Sequence, residues 1–136
     1  MDVQEVRKLD AYLKRLFGNA QIRVVPRKGD SAKLFVSEDE VGELIVDDED
    51  GDRSYNLRMV IYLGQDAAIQ PVPALNAYLQ RKFANENIHV VTRPKKTDSL
   101  EAYVGEEFIG VLFVENEKGR QSYIFEMPIL DVDLVD

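Results

Sequence analysis

Cysteine and tryptophan are absent from the chain, and histidine occurs once, at His89. Without a thiol there is no disulfide framework, no thiolate metal site and no cysteine nucleophile, and the chain suits a reducing cytoplasm, where we expect it. A lone histidine makes a catalytic relay only where a serine and a carboxylate converge on it, and nothing in the pattern brings them there. His89 lies between Ile88 and Val90 in a strand-like run, so alternation turns it to the opposite face, as a polar surface residue. The eight glycines are isolated at turns and in strands, which excludes a glycine-rich phosphate loop. No apolar run approaches the ~18 residues of a membrane helix, and the opening Met1–Lys8 lacks the basic and apolar regions of a signal peptide. Positive charge is also in deficit. Seventeen Lys and Arg against 25 Asp and Glu leave a net charge of -8, which opposes non-specific binding to nucleic acid or to an anionic membrane.

What is present is a repeat. Ala11-Tyr12-Leu13 recurs as Ala77-Tyr78-Leu79, Phe17 as Phe83, Asn19 as Asn85, Ile22 as Ile88, Val24-Val25 as Val90-Val91 and Arg27 as Arg93, all at one offset. After a two-residue insertion at 94–97 the match resumes. Asp30-Ser31 pairs with Asp98-Ser99, Phe35-Val36 with Tyr103-Val104, Gly42 with Gly110, Gly51 with Gly119, Ser54-Tyr55 with Ser122-Tyr123, and Met59 with Met127. An ordered series with one small gap marks an internal duplication, with the second copy beginning near Ile69.

Each copy opens with an amphipathic helix. Val6, Leu9, Leu13, Leu16 and Phe17 form a stripe, with Asp2 and Glu5 as a capping box and Gly18-Asn19 as the stop. In the second copy Pro71 and Pro73 fit a linker or first turn, ahead of Leu75, Tyr78, Leu79 and Phe83. Four extended runs follow: near 21–26, 32–37, 41–48 and 53–62, then near 87–92, 100–105, 108–115 and 121–130, with hairpin turns at Asp50-Gly51 and Lys118-Gly119. The expectation is an α+β fold of two tandem helix-plus-four-strand antiparallel units, packed as a pseudo-twofold pair in one compact domain. Residues 1–66 form the first (helix 3–17, strands 21–62) and 67–136 the second (helix 72–83, strands 87–130). A unit this short is marginal alone, which favours mutual burial. Phe108–Val114 is apolar on both faces where Val41–Asp47 alternates, so the second copy is expected to supply the more central strand, under a covering layer. The alternation of Asp131–Asp136 suits either a prolonged last strand or a frayed end.

The second copy resembles a family of small uncharacterised bacterial proteins, a domain of unknown function with one such unit per chain. The resemblance rests on Ala77-Tyr78-Leu79, Arg93-Pro94-Lys95-Lys96, Asp98-Ser99, Val104 through Leu112, Ser122-Tyr123 and Met127 through Leu134, and it covers the first copy more loosely. It implies a fold, with no activity, cofactor or catalytic residue attached.

Chemistry is sparse. The acidic run Asp47–Asp52 fails calcium-loop spacing and reads as a solvated hairpin tip. No catalytic residue, metal ligand or cofactor is singled out. The basic segments holding Arg27-Lys28 and Arg93, Lys95 and Lys96 occupy equivalent loops, as plain solvated charge or as a paired anionic contact. Tyr55 and Tyr123 recur in the last strand, as core ladder residues or as the lining of a partner groove. The leading expectation is a non-enzymatic protein-interaction or adaptor module, a monomer with pseudo-dimeric repeats or a homodimer, whose sheet edge or inter-repeat groove receives another protein. The alternatives are a small-ligand binder or enzyme with a pocket between the repeats, and nucleic-acid binding through Arg27, Lys28, Arg93, Lys95 and Lys96.

Overall fold

The computed structural model describes residues 1–48, 51–63, 71–117 and 120–134. The expected starts of the second copy (Ile69), of the Lys118-Gly119 turn and of part of the acidic run (Glu49, Asp50) lie outside them, as do Val135 and Asp136.

Helix α1 (Val3–Phe17) is bounded as its sequence dictates. The Asp2 carboxylate accepts from the Glu5 backbone N–H at 2.8 Å and the Glu5 carboxylate accepts from the Asp2 N–H at 2.9 Å, satisfying two donors that a helix start leaves orphaned. Gly18 closes it in the left-handed region (φ 58), and Asn19 N–H reaches the Lys14 carbonyl at 3.0 Å. Helix α2 (Pro71–Phe83) starts on the proline, whose missing N–H costs nothing in a first turn. Its stop is stranger, because Ala84 (φ 51) occupies the place of Gly18.

Strands β1 (Ile22–Arg27), β2 (Ser31–Val36), β3 (Asp39–Asp47) and β4 (Ser54–Tyr62) follow α1. Strands β5 (Ile88–Arg93), β6 (Lys96–Val104), β7 (Glu107–Glu117) and β8 (Arg120–Leu130) follow α2. Each repeat is therefore one helix and an antiparallel four-strand meander, and the sheet runs in the order β1-β2-β3-β4-β8-β7-β6-β5. This order corrects one expectation. β7 is no more central than β3, each being third from its own edge; the central pair is the last strand of each repeat. Nor does the tail prolong β8, which stops at Leu130 before a 3₁₀ turn at Asp131–Asp133 that leaves Leu134 buried.

By density of contact the chain forms two compact units, Met1–Arg58 with Met127–Asp136, and Met59–Glu126. In the first, Leu9, Leu13 and Phe17 of α1 are buried with Ile22, Val24, Ala32, Leu34, Leu44, Tyr55 and Leu57. In the second, Leu75, Leu79 and Phe83 of α2 are buried with Ile88, Val90, Leu100, Ala102, Leu112, Tyr123 and Phe125. These strand positions alternate, so each meander has a buried face under its helix and an opposite open face.

A β-bulge stands at the same place in both repeats, where the register shifts between Leu34 and Phe35 and between Ala102 and Tyr103. The extra residue, Val41 or Ile109, is buried. Its neighbour, Glu40 or Phe108, is thereby re-aimed onto the open face, opposite Phe35 or Tyr103.

Candidate interaction surface

The helices also protect the outer strands. Asp10 of α1 accepts from the Val24 N–H of β1 at 3.1 Å, and at the equivalent place Asn76 of α2 accepts from the Val90 N–H of β5 at 2.6 Å. Gln80 adds a donor to the Ile88 carbonyl at 2.9 Å. Backbone groups that an edge strand would offer to a foreign strand are thus occupied at these positions, and Pro26 removes one further donor from β1.

Tyr55 is 1% exposed, and its hydroxyl donates to Glu5 Oε1 at 3.0 Å. Arg53, two residues earlier and just ahead of β4, joins the same carboxylate through Nε and Nη2, reaches Asp30 at 3.1 Å and approaches Asp48 at 3.7 Å. One guanidinium therefore ties the start of α1 to the β1–β2 turn and to β4. Burial by itself would raise the Glu5 carboxyl, but hydrogen bonds from Arg53, the Asp2 backbone and Tyr55 outweigh it and hold Glu5 below the ordinary carboxylate range. Asp30 is lowered chiefly by its hydrogen bond from the terminal ammonium, with Arg53 adding to it. Burial and then the Glu5 carboxylate push the Tyr55 phenol up to about 12. The second repeat lacks this arrangement: Pro71 replaces Glu5 and Gln121 replaces Arg53, and the Gln121 amide donates to the Tyr123 hydroxyl at 2.9 Å. Tyr123 is buried too. Beside the charged cluster, a cavity of about 430 Å³ is lined by Met1, Val3, Val6 and Pro26 with Asp2, Arg7 and Asp10.

The basic residues singled out by sequence are dispersed over strand ends and turns. Arg27 ends β1 and Lys28 begins the following turn, both exposed; Ser31 donates to the Lys28 carbonyl at 3.0 Å. Arg93 belongs to β5 and Lys96 to β6, leaving Pro94-Lys95 as the turn. Arg93 is held on the sheet by Ser99 Oγ at 3.0 Å and by Glu101 at 3.9 Å, whereas Lys95 and Lys96 are exposed.

The open faces differ between the repeats more than the buried ones do. In the first, Arg23 lies over the Phe35 ring at 5.1 Å and Lys33 faces Glu43 at 3.9 Å, with Glu40 and Asn56 completing a polar surface around Ile45. In the second, the matching positions hold His89, Tyr103, Glu101, Phe108, Val111, Phe113 and Ile124, the last of them buried. His89 stacks on Tyr103 with centroids 5.4 Å apart, and Phe108 meets Tyr103 edge-on at 5.7 Å. Phe113 pairs with Ile124 across β7 and β8, and Val60 and Tyr62 of β4 turn outward by alternation with buried Met59 and Ile61. Phe108 is 50% exposed, Phe113 41% and Tyr62 52%, so the layer expected to cover Phe108–Val114 does not bury its outer side chains. Sequence reading missed this surface; setting the two copies side by side at open-face positions would have shown Glu40, Glu43 and Asn56 against Phe108, Val111 and Ile124.

Among the described residues no three His, Cys, Asp or Glu side chains converge as a metal site, and no helix is long and apolar enough to cross a membrane. No curated protein matches the chain, and no solved structure does. A family model matches it twice, over residues 5–65 and 72–133. The chain therefore belongs to the family described as Protein of unknown function (DUF3126), and carries that family's unit in tandem duplicate.

Proposed function

We propose that the chain is a protein-interaction module whose contact surface is the open sheet face of the second repeat. The observation that carries this reading is the contrast between two copies of one framework. The buried faces keep matched apolar residues, while on the opposite face Glu40, Glu43 and Asn56 of the first repeat give way to Phe108, Val111 and Ile124 in the second, Lys33 and Arg58 staying charged as Glu101 and Glu126. An exposed apolar cluster on a sheet loses free energy to water unless something covers it, and such clusters mark contact surfaces. The strand edges serve this purpose less well, because helix side chains already occupy part of their hydrogen-bonding groups.

Site-specific photo-crosslinking in the cells that make the protein tests this. A photoreactive phenylalanine analogue at position 113 should give a discrete polypeptide adduct, lost in the Phe108→Glu background, and the same analogue at position 45 should not. Adducts from position 45 alone would move the surface to the first repeat, overturning its assignment here. No adduct from either position would overturn the interaction reading itself.

A further inference from the structure

We infer that the place in the first compact unit filled by Met127–Leu130 is a binding slot, and that its alternative occupant is Met59–Tyr62 of a second copy of this chain.

The last strand of each repeat overshoots its own meander. Pairing of β4 with β3 runs from Ser54 to Arg58, although β4 continues to Tyr62; pairing of β8 with β7 runs from Arg120 to Glu126, although β8 continues to Leu130. Both overhangs nevertheless alternate between inside and outside. Met59, Ile61, Met127 and Ile129 are at most 1% exposed, whereas Val60, Tyr62, Pro128 and Leu130 face water. An apolar strand end that has left its own meander is buried only where another set of residues receives it. The first unit, made of Met1–Arg58 and Met127–Asp136, receives the overhang of β8, and the overhang of β4 belongs to the second.

The two overhangs are equivalent segments of the duplication. Met59 matches Met127 and Ile61 matches Ile129, so the side chains that sink inward are identical; the pairs that differ, Val60 with Pro128 and Tyr62 with Leu130, are the exposed ones. A slot that takes methionine and isoleucine two residues apart therefore suits either segment, and strand addition supplies backbone hydrogen bonds whatever the outward side chains are. When each of two copies lends the same segment to the other, the contact closes on itself as a dimer.

One further anchor favours the chain's own tail. Beyond Leu130 the 3₁₀ turn leads to Leu134, which is buried and belongs to the first unit, whereas the first repeat has Asp66 at the equivalent position. The native tail thus outcompetes the second copy through covalent linkage and through Leu134, and weakening its hold admits the second copy.

The test uses the full chain in sedimentation and hydrogen exchange. Leu134→Asp should raise the association constant for dimer by at least about tenfold over wild type, as loss of a buried leucine from the competing tail implies. Met127→Asp with Ile129→Asp should evict the tail and give a dimer in which amides of β1–β4 stay protected from exchange. Adding Met59→Asp and Ile61→Asp to that variant should return a monomer. A dimer that survives those added replacements would put the contact elsewhere and overturn the inference. So would a Met127/Ile129 variant that stays monomeric at every concentration, or a Leu134→Asp chain that associates no more than wild type.

Discussion

Gly18 and Ala84 do the same work with different side chains. Each ends a helix in the left-handed region, where a Cβ strains against the neighbouring carbonyl by about 1–2 kcal/mol. Nothing lies within 4 Å of a Cβ added at Gly18, so the cost there is backbone strain alone. Ala84→Gly should raise the free energy of unfolding by about 1 kcal/mol and Gly18→Ala should lower it by a similar amount, as read from urea titrations. The charged cluster gives pH dependence of known sign. Glu5 and Asp30 titrate below their ordinary range when folded, so the stability they supply is complete above that range and is lost as pH falls through the lowered values. Glu5→Gln should flatten the loss of stability in acid. Tyr55 titrates above its ordinary value of 10.0, near 12, so its contribution is lost as pH rises between the two; Tyr55→Phe should remove that alkaline loss and take one late-ionising phenol out of an absorbance titration. The capping box was legible in the sequence because its partners are three residues apart. The partnership of Glu5 with Arg53 was not, because the two stand 48 positions apart and only the return of the chain at β4 to the start of α1 joins them.

At the scale of the element, helix and strand content was readable for a physical reason. The stripes Leu9-Leu13-Phe17 and Leu75-Leu79-Phe83 and the alternation in β2 and β4 are driven by burial on one face, which period alone reports. What period does not report is strand order, or which side of a strand that is apolar on both sides will be covered. Phe108–Val114 led to a wrong expectation of centrality for this reason, and the bulge at Ile109 shifted Phe108 to a face that strict alternation does not assign it. The edge caps are a further element-level device. Asp10→Ala or Asn76→Ala leaves the Val24 or Val90 N–H without its acceptor, at a cost of about 1–2 kcal/mol. The double variant should also aggregate faster than wild type on mild heating, as light scattering would show, whereas Lys33→Ala on the open face should not.

For the whole molecule, the boundary between repeats and the boundary between compact units are different things. The units divide at Arg58/Met59 and at Glu126/Met127, which are equivalent positions in the two copies, so each unit takes strand segments from both. Cutting the chain between the repeats therefore leaves neither unit whole. A fragment of residues 1–66 should show no cooperative thermal transition as a monomer, and mixing it with 67–136 should restore one; a fragment that melts cooperatively alone at low concentration would contradict the division. The tandem arrangement then has a kinetic consequence. Segments that must meet to complete a unit are joined by one backbone, so their encounter is unimolecular and its rate is indifferent to how dilute the protein is, whereas the severed halves would find each other at a speed set by their abundance.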